Sequence, residues 1–159
     1  MKILVVIPPY VLGEDGMAVM PNKAMLPIGP LVVAGMFRDR EHKVELLDLV
    51  FESVWMGVLV SRLAGSEYDL ILLSCHTARN IAVCRQVVRL IRSFQRSPRI
   101  ILGGNICVDL GIEDFRMLGL DVDAVIRGYG HGEDIIEAIE ESGEGDIRSQ
   151  QVQVILPLP

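Results

Sequence analysis

No run of lysine or arginine stands out anywhere in the 159 residues, and acidic side chains outnumber basic ones 21 to 15, for a net charge of -6. A stripe that tracks phosphates is therefore missing, and nucleic acid is not an expected partner. Cysteine is scarce and poorly placed for staples: Cys75, Cys84 and Cys107 are odd in number and far apart, so they define neither a disulfide framework nor a C-x-x-C zinc site. A reducing, cytoplasmic setting fits that usage. Long apolar runs are absent too. The opening MKILVVIPPY is halted by Pro8 and Pro9 well short of the roughly 20 residues that a membrane span requires. It reads as a first strand of a soluble protein, with no membrane partner expected.

What the chain does have is apolar material in the right rhythm. Half of it is hydrophobic, enough at this length for one domain with a core on both faces of a sheet. Leu-rich and β-branched runs recur at 3–7, 44–49, 69–74, 99–102 and 122–126, the pattern of strands buried on both sides. Helical spacing fills the intervals at 28–40, 52–64, 79–96, 112–118 and 133–141. In 79–96 the stripe Ile81, Cys84, Val87, Val88, Ile91 and Phe94 marks a helix that covers the sheet. Repeated β-α units with right-handed crossovers predict a doubly wound, open parallel sheet of five strands in the order 2-1-3-4-5, Rossmann-like and flavodoxin-like. The domain is expected over 1–142, with 143–159 a C-terminal extension or the start of a linker to a missing catalytic domain.

Ligands of such sheets bind at the carboxyl ends of the strands. Those ends are the long connection 8–27, which far exceeds the usual strand-to-helix loop and is expected to be functional, SCHTA at 74–78, GGN at 103–105 and RGYGHGE at 127–133. Gly103 and Gly104 either let backbone approach a bulky group or serve a tight turn of their own. Familiar phosphate sites are missing. Pro8, Pro9 and Tyr10 stand where G-x-G-x-x-G would follow the first strand, and GYGHG at 128–132 has the wrong spacing. Without that fingerprint Asp48, at the end of the second strand, is a weak candidate for holding a ribose. Ser74 stands where a receiver domain has its aspartate, and residues 8–20 contain no Ser or Thr for flavin phosphate.

Taken in order, IPPY at 7–10, LPIGPLVVAGMFRDREHKVELLDL at 26–49, YDLILLSCHT at 68–77, RIILGGN at 99–105 and VDAVIRGYGHGE at 122–133 resemble the cobalamin-binding domain of B12-dependent radical S-adenosylmethionine enzymes. The resemblance spans about residues 3–141. It implies that cobalamin, vitamin B12, lies across the carboxyl edge with its benzimidazole arm beside the third and fourth strands. Gly103 and Gly104 would then leave room for the arm, so that a bulky residue at Gly104 should abolish binding without unfolding the domain. Ser74, Cys75, His76, Thr77 and Asn105 would flank the arm. Pro9, Tyr10, Val19, Met20, Met25 and Leu26 would meet the macrocycle, and Gly128, Tyr129, Gly130 and His131 would close the fifth loop.

The D-x-H-x-x-G motif of mutase-type cobalamin proteins, whose histidine ligates cobalt, does not occur here. The resemblance therefore implies a base-off cofactor without a histidine ligand. The family's usual RGEGE reads RGYGH in this chain. The C-x-x-x-C-x-x-C triplet of a radical enzyme is also absent, so the implied partner is a radical S-adenosylmethionine catalytic domain, in cis or in trans, serving methyl transfer. Two rivals remain: a flavin-binding electron-transfer domain and a docking module without ligand. Of the other polar residues, His42 is expected to be solvated on the opposite edge, and Cys75 to pack as a small hydrophobe.

Overall fold

The structure, a computed structural model, describes residues 1–19, 26–95, 97–127, 133–141 and 145–148. Five strands, β1 (Lys2–Ile7), β2 (Lys43–Asp48), β3 (Leu70–Ser74), β4 (Arg99–Gly103) and β5 (Ala124–Arg127), run parallel in the order 2-1-3-4-5 that the apolar runs imply. A short strand, β6 (Gly145–Arg148), pairs in parallel with β5 and adds a sixth position to the sheet. It falls within the segment assigned to an extension or linker. Its sequence, GDIR, holds a single apolar residue, too little for a strand signal.

The helices are α1 (Ile28–Asp39), α2 (Trp55–Gly65), α3 (Asn80–Phe94), α4 (Ile112–Met117) and α5 (Glu133–Glu141), with a 3₁₀ turn at Asn105–Val108. Successive residues of β1 point to opposite faces, as the pleat dictates. Ile3 and Val5 join Ala34 and Phe37 of α1 and Ile136 and Ile139 of α5. Leu4 and Val6 join Trp55 and Leu59 of α2, the stripe of α3, and Phe115 of α4. The sheet is thus wound on both sides, with β3 and β4 at its centre.

The stripe of α3 differs slightly from the one the spacing suggests. Val83, Cys84, Val87, Val88 and Ile91 are buried, while Ile81 is half-buried and Phe94 is exposed where the helix runs out at the far edge. α2 begins at Trp55 rather than at 52, because Glu52 closes a turn by accepting the Trp55 amide at 3.2 Å. His42 is not a free surface residue: its Nε2 lies 2.8 Å from Glu140 and its ring tilts against Phe37 at 5.5 Å. Among the described residues no helix is long and apolar enough to cross a membrane.

Candidate cofactor site

Because all the strands are parallel, their carboxyl ends share one edge, and the loops leaving β1, β3 and β4 meet there. The register sets Ser74 of β3 opposite Gly103 of β4, and the Cys75 amide donates to the Gly103 carbonyl at 2.7 Å. The chain of Gly104 then passes directly over Cys75. Gly104 has φ +117°, and a Cβ built on it would fall inside contact distance of the Cys75 carbonyl oxygen and 2.8 Å from its carbonyl carbon. This close approach of the protein to itself answers why the apolar run of β4 ends in glycine: L side chains rarely adopt that φ, and none fits in that space. The expectation that a bulky residue at Gly104 would spare the fold is therefore corrected. At Gly103 a Cβ meets only the Ile126 side chain, at 3.6 Å, which is ordinary contact.

The other end of the site is the exit of β1. Pro8 and Pro9 are buried and Tyr10 is half-buried, its ring set edge-on to that of His76 with centroids 6.2 Å apart and planes at 74°. Burial first, and the nearby Asp48 carboxylate second, raise the Tyr10 phenol above its ordinary value, so it remains protonated and able to donate near neutral pH. Beyond Tyr10 the chain does not wander. Residues 11–19 double back as a small hairpin, with Leu12 bridged to Ala18 and the Val19 amide donating to the Val11 carbonyl at 2.9 Å. Trp55 donates its indole N–H to the Gly16 carbonyl at 3.4 Å. A cleft of about 480 Å³ separates this hairpin from α3, lined in part by Leu12, Glu14, Arg79 and Gln86.

One residue that sequence reasoning missed joins the two exits. Asn80, at the start of α3, is 1% exposed. Its Nδ2 donates to the carbonyls of Pro9 and Tyr10, both at 3.0 Å, and its Oδ1 accepts from the Thr77 amide at 3.1 Å and the Thr77 hydroxyl at 3.0 Å. The only signal in the sequence was an amide side chain at the head of an otherwise apolar stripe. The three cysteines, far apart in sequence, also come together in the fold. All three are free and buried, and the Cys84 thiol is pushed well above its ordinary value by its bond to the Cys75 thiol, by burial, and by the neighbouring Cys75 and Cys107. They converge beneath the edge, yet among the described residues no cluster suits a metal ion.

Of the residues singled out from sequence, Pro9, Tyr10, Ser74, Cys75, His76, Thr77, Gly103, Gly104 and Asn105 lie at the exits of β1, β3 and β4. Ser74 and Cys75 are buried, His76 and both glycines are half-buried, and Thr77 and Asn105 are exposed. Leu26 is 78% exposed just before α1. Met20, Met25, Gly128, Tyr129, Gly130 and His131 lie outside the described residues.

A model of the B12-binding domain matches residues 18–140. The chain belongs to the B12-binding domain family. Its cofactor is cobalamin. A solved structure of the radical S-adenosylmethionine methyltransferase TsrM from Kitasatospora setae, with tryptophan substrate and a SAM analogue bound, shares the fold at TM-score 0.52 and 16% identity, over 65% of this chain and 19% of that one. A cobalamin-binding protein from Desulfitobacterium hafniense DCB-2 shares it at TM-score 0.51 and 14% identity, over 76% of this chain and 51% of that one. This B12-binding domain thus spans about a fifth of the first neighbour and half of the second. No curated protein matches it.

The edge suits the cofactor. Cobalamin is a broad, flat macrocycle fringed with amides and bearing a nucleotide arm, so it requires backbone within reach and few bulky side chains. The exits of β3 and β4 offer the half-buried backbone of Gly103 and Gly104 and the exposed polar groups of Thr77 and Asn105.

Proposed function

We propose that this B12-binding domain holds cobalamin base-off and without a histidine ligand, as the cofactor module of a radical S-adenosylmethionine enzyme of the methyl-transfer type. The observation that carries this reading is the exit of β1. Buried Pro8 and Pro9 and the ring of Tyr10 occupy the place from which a D-x-H-x-x-G histidine would reach cobalt. In this reading Ser74, Cys75, His76, Thr77, Gly103, Gly104 and Asn105 would flank the nucleotide arm and Pro9, Tyr10 and Leu26 would meet the macrocycle, while Met25, Gly128, Tyr129, Gly130 and His131 are assigned to the site by the resemblance alone. When bound, cobalamin supplies the cobalt chemistry of methyl transfer. The chain's own residues would bind and orient it: the Tyr10 phenol holds its proton as a donor, and the Ser74 and Thr77 hydroxyls would bond to the arm, Thr77 as an acceptor because its proton goes to Asn80.

The catalytic partner is a radical S-adenosylmethionine domain, in cis or in trans. Support comes from the apolar side chains left exposed along the same edge, among them Ile28, Leu31, Val54 and Met56, which a covering domain would remove from water. The methyltransferase description of TsrM supports that class of partner. Residues 1–142 carry the cofactor site in this reading, and β6 at Gly145–Arg148 extends the same sheet beside β5.

The test is to mix the purified protein with hydroxocobalamin, remove free ligand, reduce the sample and record its visible spectrum. Retained cobalamin with a base-off spectrum is expected. A base-on or histidine-ligated spectrum overturns the ligation mode, a protein isolated yellow favours flavin, and one that retains no chromophore favours a docking module.

A further inference from the structure

We infer that Asn80 is a positioning residue of the cofactor site, holding the exits of β1 and β3 as one unit so that Tyr10 and His76 keep their spacing. The inference rests on the cobalamin reading. The cap position of α3 is Arg79, which makes no side-chain cap bond, and Asn80 sends its own side chain back to Thr77 in the turn before the helix and across to the exit of β1. A carboxamide offers two donor hydrogens and two acceptor lone pairs. All four are used, and all on the two exits: Pro9 and Tyr10 on one side, the Thr77 amide and hydroxyl on the other.

The reason lies in where the ladders stop. β1 pairs with β3 only as far as Val6 opposite Leu73 and with β2 as far as Ile7 opposite Asp48. Past that point the Pro9 and Tyr10 carbonyls have no strand to bond, and Pro9 is buried away from water. Asn80 fills that need from 70 positions downstream of Tyr10. It thereby fixes the backbone that carries the Tyr10 ring against the backbone that carries His76. The ring contact itself is a single edge-on pair at 6.2 Å and exerts too little hold to set the geometry alone.

Asn80→Asp separates the two halves of this arrangement. The carboxylate keeps its acceptors for Thr77 but cannot donate to the Pro9 and Tyr10 carbonyls. The expected result, measured below the variant's own unfolding transition, is hydroxocobalamin affinity weakened about tenfold. The visible circular dichroism of the bound corrin should change with it, and in the protein without cofactor the amides of residues 10–19 should exchange faster. Asn80→Ser, which also cannot reach both carbonyls, is expected to do the same. A folded variant with unchanged affinity and unchanged corrin dichroism overturns the role and leaves a merely structural amide. The wild-type protein gives a third reading: cobalamin should slow exchange at residues 10–12 and 77–80 together, and slowing at one exit alone contradicts the coupling. Wild-type protein that takes up no hydroxocobalamin overturns the cofactor reading itself, and this role with it.

Discussion

Gly103 and Gly104 are neighbours in the chain but not in what they tolerate. Alanine at Gly104 must hold φ near +117° while its methyl group meets the Cys75 backbone, which cannot yield without moving the end of β3. The expected cost is about 2–3 kcal/mol, read as a lowered urea midpoint with unchanged slope. Alanine at Gly103 meets only a flexible Ile126 side chain and should change stability by less than about 1 kcal/mol. Equal effects at the two positions would contradict the geometry at this turn. The importance of the glycines was visible in the sequence, since an apolar strand seldom ends in two of them without cause. Their reason was not, because it lies in contact with a residue 29 positions earlier in number, from Gly104 back to Cys75. Asn80 was hidden for the same reason: its partners at Pro9 and Tyr10 belong to a different loop.

At the scale of elements, the strands and helices were legible because their apolar residues recur at strand or helix spacing, and a parallel sheet buried on both faces leaves little freedom in its ordering. What escaped was short or polar: β6, the 3₁₀ turn after Gly104, and the hairpin at 11–19, whose bridge between Leu12 and Ala18 follows no alternation that a sequence pattern could register. The packing of α3 carries a direct prediction. Ile91 is fully buried beneath the sheet, so Ile91→Ala should cost about 2–5 kcal/mol, seen in chemical denaturation. Another concerns the polar cluster that joins β1, β2 and α2. Tyr68 donates to Glu45 at 3.0 Å, and Arg62 and Lys2 approach the same carboxylate at 3.1 Å and 3.4 Å. Burial and the bond to Glu45 push the Tyr68 phenol to about 12. Burial alone would raise the Glu45 carboxyl, but the bonds from Tyr68 and Lys2 and the charges of Lys2 and Arg62 outweigh it, holding the carboxyl below its ordinary 4.5. A carboxyl lowered on folding lends stability that is complete above its unfolded value and is lost as pH falls through its folded one. Glu45→Gln should therefore flatten the loss of stability between about pH 5 and pH 3, by less than about 1 kcal/mol since the pair is partly exposed. An unchanged acid limb would remove this cluster from the account.

For the molecule as a whole, the sheet's order gathers the residues of the proposed site on one edge and leaves the stabilising polar contacts largely elsewhere, so in this reading binding and folding meet mainly at the exits of β1, β3 and β4. A ligand that binds only the folded state raises stability by mass action, by about 2.7 kcal/mol at a concentration one hundred times its dissociation constant. Hydroxocobalamin should accordingly raise the melting temperature in proportion to the logarithm of its concentration, while flavin mononucleotide should not. The fold of this molecule could be read from its sequence, and so could the cofactor through five short stretches in the right order. The details of the site could not, because they depend on backbone atoms of distant loops meeting at one edge. The most direct test of the central claim is a calorimetric titration of the intact chain with hydroxocobalamin. The account predicts saturation at about one corrin per chain, with affinity about tenfold weaker in Asn80→Asp. A flat titration of the wild-type protein, with the domain folded throughout, would contradict it.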